Sequence, residues 1–157
     1  MTDKQTESKE VVLKEYPKTS YLLDGNRIQA AGNLILTNER LLFLRQVPAL
    51  SEKEIETVQQ IAQDTTKLLQ FGLSLHKKNF QLPLSDIAAA RLGMLSYFPV
   101  RVYLRVDYVT GSKKIKSLGF MFTQPLIKRL MMSDFPTLGW KMAINKALRD
   151  RRKAAKK

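Results

Sequence analysis

The chain has 157 residues, no cysteine, one histidine and a formal net charge of +13, and 44% of its residues are hydrophobic. That length and apolar content suffice for one domain with its own core. Disulfides and thiolate metal sites are excluded, a reducing interior is allowed, and no stretch approaches the ~20 apolar residues that cross a bilayer.

Residues 1–15 are polar, with five acidic or basic side chains before Val11. They read as a flexible N-terminal segment and lack the apolar core of a secretion signal, so cytoplasmic residence is expected. A domain over residues 16–148 follows, opening with an Asp24-Gly25 turn and a short strand near Arg27–Ala31. Residues 32–46, GNLILTNERLLFLRQ, then predict two antiparallel strands, 32–37 and 40–46, around the turn Thr37-Asn38-Glu39-Arg40. Leu34 and Leu36 point one way and Ile35 the other, while Leu41 and Phe43 alternate with Leu42 and Leu44, so both faces need cover.

Residues 51–71 change period. Ile55, Val58, Ala62, Thr65 and Leu69 recur at spacings of three and four, Ser51 and Glu54 form a capping box, and Gly72 suits the C-terminal end. One inserted amphipathic helix is expected. Short strands resume at Phe80–Leu82 and, opened by Ser85-Asp86-Ile87, toward Leu92. Residues 100–109 alternate strictly, with Leu104 and Val106 on one face and Arg105 and Asp107 on the other. They form a hairpin with 114–123 across Thr110-Gly111-Ser112. Pro125 opens a short helix carrying Met131, and Asp134–Thr137 breaks it. A last helix runs from about Leu138 to Arg152 with Trp140, Ala143, Ile144, Ala147 and Leu148 on one face. That stripe marks Trp140 as a core residue rather than a membrane-interface anchor.

The pattern Gly32, Leu34, Leu36, Thr37, Asn38, Arg40, Leu41, Phe43 resembles the signature of GRAM and bacterial pleckstrin-homology-like domains. Leu82-Pro83-Leu84-Ser85-Asp86-Ile87 is similar to a second step of those families. The resemblance covers about residues 20–150. It implies a mainly β fold: a bent antiparallel barrel of about seven strands, partly open, closed by a C-terminal helix, here with a helical insertion at about 51–71. In such domains basic residues on the loop between the first two strands hold phosphoinositide headgroups. Here that region offers Arg27 beside Ala30, Ala31 and Gly32, without the paired Lys/Arg pattern.

Catalytic constellations are not evident. His76 stands beside Lys77 and Lys78 as a solvated loop residue, and no His, Asp and Glu cluster has metal spacing. Asp24, Asp86 and Asp107 lack a paired acid or nucleophile, so structural roles are expected. No enzyme activity, metal or cofactor is predicted. The charge is more informative. Residues 1–112 carry 14 Lys and Arg against 12 Asp and Glu, whereas residues 113–157 carry 13 against 2. The anion-contacting candidates are Lys77, Lys78, Lys113, Lys114, Lys116 and a basic tail over 149–157: Arg149, Arg151, Arg152, Lys153, Lys156 and Lys157. The expected function is a non-catalytic adaptor, peripheral at an anionic membrane surface or bound to a protein partner. The alternatives are nucleic-acid binding through the tail and a pure protein-interaction or self-assembly module.

Overall fold

A computed structural model describes residues 9–23, 27–46, 49–95, 101–123 and 135–156. Seven strands form one antiparallel sheet: β1 (Val12–Leu23), β2 (Arg27–Thr37), β3 (Arg40–Arg45), β4 (Phe80–Pro83), β5 (Ile87–Leu95), β6 (Arg101–Val109) and β7 (Ile115–Phe122). Their order across the sheet is β4-β3-β2-β1-β7-β6-β5. The sheet is bent and open, since β4 and β5 are its two edges. Three residues carry the chain from one edge to the other, held by Leu84 N–H to Glu39 O (2.9 Å) and Val109 N–H to Asp86 O (2.8 Å). This is the expected pleckstrin-homology-like arrangement, with the C-terminal helix α3 (Phe135–Ala154) lying against β5, β6 and β7.

The bend originates in β1. Its pairing with β2 slips between Tyr16 and Thr19, and Lys18 adopts φ 61°. Beyond that bulge, Thr19–Leu23 pair with β7 as well as β2. A bulge adds local twist, and Pro17 offers no N–H to the ladder, so the chain turns where one strand must serve both halves of the sheet.

The alternation read in β2 and β3 divides between two cores. Leu34, Leu36, Leu41 and Phe43 enter the main core with Leu104, Val106, Phe120, Trp140 and Ile144. Ile35 and Leu42 point outward into a second cluster with Leu69, Leu44 and Leu73. The outer cover is the insertion between β3 and β4, and it is two helices rather than the expected single helix over 51–71. They are α1 (Glu52–Ile61) and α2 (Thr65–Ser74). The break has a local cause: Asp64 accepts a hydrogen bond from the backbone N–H of Lys67 at 3.1 Å and so starts a new helix. Gly72 consequently lies inside α2, against Leu44, not past its end. The predicted Ser51–Glu54 capping box is present at the start of α1.

The flexible segment expected over 1–15 does not hold for residues 9–15. Strand β1 begins at Val12, and Glu10 is buried. The polar tetrad Thr37–Arg40 fixes this segment. Asn38 accepts from Val11 N–H (2.8 Å) through Oδ1 and donates to Lys9 O (3.2 Å) through Nδ2. Thr37 Oγ1 donates to Glu10 Oε1 (2.9 Å) and accepts from the N–H groups of Glu39 and Arg40. Arg40 then grips both Glu10 oxygens at 2.8 Å. The Asp24 turn, the helix expected from Pro125 and Met131 lie outside the described residues.

Candidate functional site

Helix α3 starts earlier than expected, at Phe135, because Pro136 sits in its first turn, where the missing N–H has no helical partner to lose. Its buried stripe is the predicted one: Trp140 and Ile144 are fully enclosed, and Ala147 and Leu148 nearly so. Trp140 stacks on Phe122 at a centroid distance of 5.8 Å, and Lys14 Nζ lies 5.8 Å over its ring. The indole is therefore core, as its spacing implied. Asn145 fastens α3 to the sheet edge: its Oδ1 accepts from Ala90 N–H (3.3 Å) and its Nδ2 donates to Ala90 O (3.0 Å). A single amide thus completes the hydrogen bonding of one residue of the edge strand β5.

With that face buried, the outer face is fixed by the helical repeat. Leu138, Met142, Arg149, Arg152 and Lys156 are exposed along one line at spacings of four and three; the line also passes through Asn145, whose side chain turns in to β5, so it borders the edge strand. Lys141, Lys146 and Lys153 flank it. Met142 is 63% exposed and Leu138 42%. Beside the line, between α3 and Ala88 of β5, runs a groove of about 550 Å³ with Met142 and Leu148 among its apolar walls and Lys141, Arg149 and Arg152 among its charges. Asp150 is the only acid from Leu138 to Lys156, and it lies off this line.

The expected tail over 149–157 is therefore not a separate tail. Arg149, Arg151, Arg152 and Lys153 belong to α3, where cations near the C-terminus also complement the helix dipole. Lys156 follows directly in a turn, and Lys157 lies outside the described residues. Arg151 is set apart from the others. It faces the β2–β3 turn, 3.5 Å from Glu39 Oε2.

The remaining candidates sit elsewhere. Lys77 and Lys78 occupy the loop between α2 and β4 with His76 and with Arg45 at the end of β3. Arg45 Nη1 is 3.1 Å from His76 Nε2, and Lys78 N–H donates to His76 Nδ1 at 3.0 Å. Partial desolvation first, then the charges of Arg45, Lys77 and Lys78, hold the imidazole below its ordinary value. Lys113 and Lys114 form the β6–β7 turn, with Lys113 at φ 58°, and Lys116 is exposed on β7. The ten of these predicted residues that the structure describes thus do not make one patch. α3 and the turn after it gather Arg149, Arg152, Lys153 and Lys156, and set Lys141, Lys146, Leu138 and Met142 beside them. The four-and-three spacing from Leu138 onward is the signal for Leu138 and Met142, whereas Lys141 and Lys146 lie beside that line. Arg45 joins His76 only through the fold, so no local signal marks it.

The carboxylates of the domain body hold structure together. Asp107 is buried and accepts from Ser117 Oγ (2.6 Å) and Arg105 Nε (2.7 Å), with Arg91 at 3.5 Å. Burial opposes its ionisation, but these donors and charges outweigh it and hold the carboxyl below its ordinary value. Among the described residues no three His, Asp or Glu side chains gather as a metal site, and no helix is long and apolar enough to cross a membrane. Compared with known proteins, the chain matches no family model and no curated protein.

Proposed function

We propose that the chain is a non-catalytic, GRAM-like adaptor module that docks on anionic membrane surfaces through the outer face of α3. The observation that carries this reading is the composition of that face. Six cations (Lys141, Lys146, Arg149, Arg152, Lys153 and Lys156) share it with protruding Leu138 and Met142, and no acid interrupts it. Each cation near an anionic bilayer contributes about 1 kcal/mol, so six supply roughly 6 kcal/mol before the cost of orientation. That range suits a reversible peripheral contact, and two apolar side chains at the headgroup boundary add to it. The cytoplasmic leaflet, where anionic lipid is concentrated, is the surface this reading implies.

The test is co-sedimentation with phosphatidylserine-containing and with pure phosphatidylcholine vesicles at about 0.15 M salt, where screening acts beyond ~8 Å. The full chain pellets with the anionic vesicles only, and the variant Arg149→Glu/Arg152→Glu/Lys156→Glu stays in the supernatant. Equal behaviour of the two chains defeats the reading. If the full chain instead shifts a random DNA duplex at this salt and ignores the vesicles, nucleic acid replaces lipid as the partner.

A further inference from the structure

Helix α1 is well capped but lightly packed, with Val58 and Ile61 only half-buried. It carries a complete capping box, yet none of its ten residues is buried, and Ile55 is 44% exposed. The insertion is anchored by α2, whose Leu69 and Leu73 fill the outer cluster. Around Ile55 the helix surface is acidic: Glu52 lies one turn before it and Glu56 beside it, both exposed. Residues 52–61 carry three Glu against one Lys, whereas α3, residues 135–154, carries six Lys and Arg against one Asp.

We propose that α1 of one copy docks into the groove beside α3 of a second copy. Ile55 enters the apolar part next to Met142 and Ala88, and Glu52 and Glu56 meet Arg149, Arg152 and Lys141 on its rim. Three features favour this occupant. The charges are opposite. The apolar groove faces an apolar residue that its own chain leaves uncovered. The lengths are also compatible, since the ten residues of α1 span ~15 Å and the twelve-residue groove-lining stretch from Lys141 to Arg152 spans ~18 Å.

The contact joins two different surfaces head-to-tail, and each assembly keeps one free α1 surface at one end and one free α3 surface at the other. Short open chains form rather than a closed dimer. The interface is small and largely electrostatic, so it is weak and loosens with salt. It does not depend on the membrane reading, but it uses the same face of α3. Anionic lipid and self-association therefore exclude each other, and a vesicle surface that captures α3 dissolves the chains.

Sedimentation velocity of the full chain without lipid tests this between about 10 µM and 1 mM protein. The weight-average mass rises with concentration at ~0.05 M salt and returns to monomer at ~0.5 M. Glu52→Lys/Glu56→Lys and Arg149→Glu/Arg152→Glu each weaken association about ten-fold or more. Mixed together, the two variants associate again and alternate along open chains, since their intact surfaces pair with each other and their reversed surfaces attract in turn. The chain carrying all four substitutions associates again with reversed charges. A full chain that stays monomeric throughout overturns the proposal, as does association that neither variant weakens or that the four-fold swap does not restore. Circular dichroism of each variant separates a lost contact from a lost fold. Vesicle binding by Glu52→Lys/Glu56→Lys, whose α3 is intact, keeps the outcome separate from that of the membrane reading.

Discussion

Thr37 satisfies two backbone donors of its own turn and one oxygen of Glu10, and Arg40 takes both Glu10 oxygens. The motif resembling a family signature is thus a clamp on the N-terminal segment. Glu10→Gln leaves the Arg40 guanidinium without its counter-charge and costs about 2–3 kcal/mol in a urea titration. Burial opposes ionisation of Glu10, but the hydrogen bonds from Arg40 and Thr37 and the charge of Arg40 prevail, so its carboxyl lies below the ordinary 4.5. A carboxylate whose folded value is depressed stabilises the fold fully above its unfolded value. That contribution fades as pH falls through the folded one. Melting temperature therefore holds above about pH 4.5 and falls below it, less steeply in Glu10→Gln. Lys18 and Lys113 both occupy the left-handed region, where a Cβ is strained, and Lys18→Gly and Lys113→Gly each stabilise by about 0.5–1 kcal/mol in the same titration. From sequence, Thr37–Arg40 was legible as a turn. Its partner Glu10, some thirty residues away in a segment rich in charge, carried no periodic signal.

Most helices and strands are legible because they announce their period; β1 does not, since its alternation is interrupted at Pro17 and Lys18. The two faces of β2 and β3 were read correctly, and the insertion supplies the outer cover they require. The break at Asp64 was not read, since the apolar spacing runs through it and only the cap to Lys67 divides the insertion into α1 and α2. The two helices carry unequal weight. Leu69→Ala removes a buried side chain from the outer cluster and costs about 2–4 kcal/mol. Ile55→Ala changes an exposed residue and shifts stability by no more than about 0.5 kcal/mol. Chemical denaturation of the two variants side by side checks this difference. Gly32 answers to a neighbour as well: a Cβ there would meet the backbone oxygen of Leu44 on β3, so Gly32→Ala forces the β2–β3 pair apart. The missing side chain at Gly32 lets the two strands approach closely.

At the scale of the whole molecule, strands β3 to β7 and the uneven charge are visible in the sequence, whereas β1 (Val12–Leu23) is not, and β2 (Arg27–Thr37) runs unbroken where two strands, near 27–31 and over 32–37, were expected. The grouping of that charge is not visible there. Lys77 and Lys78 lie in the α2–β4 loop, Lys113 and Lys114 in the β6–β7 turn, and the larger set on α3, because a bent sheet sends its connections in different directions. A contact through α3 predicts that binding follows Arg149, Arg152 and Lys156 and is insensitive to Lys77 and Lys113. The absence of cysteine allows one labelled position at a time. The most direct measurement places a single polarity-sensitive fluorophore on Met142→Cys, and separately on Lys77→Cys and Lys113→Cys, and titrates each chain with phosphatidylserine vesicles at about 0.15 M salt. Emission shifts to the blue at position 142 alone if α3 meets the bilayer. A shift at position 77 or 113 with none at 142 would contradict that contact and transfer the binding face to another part of the sheet.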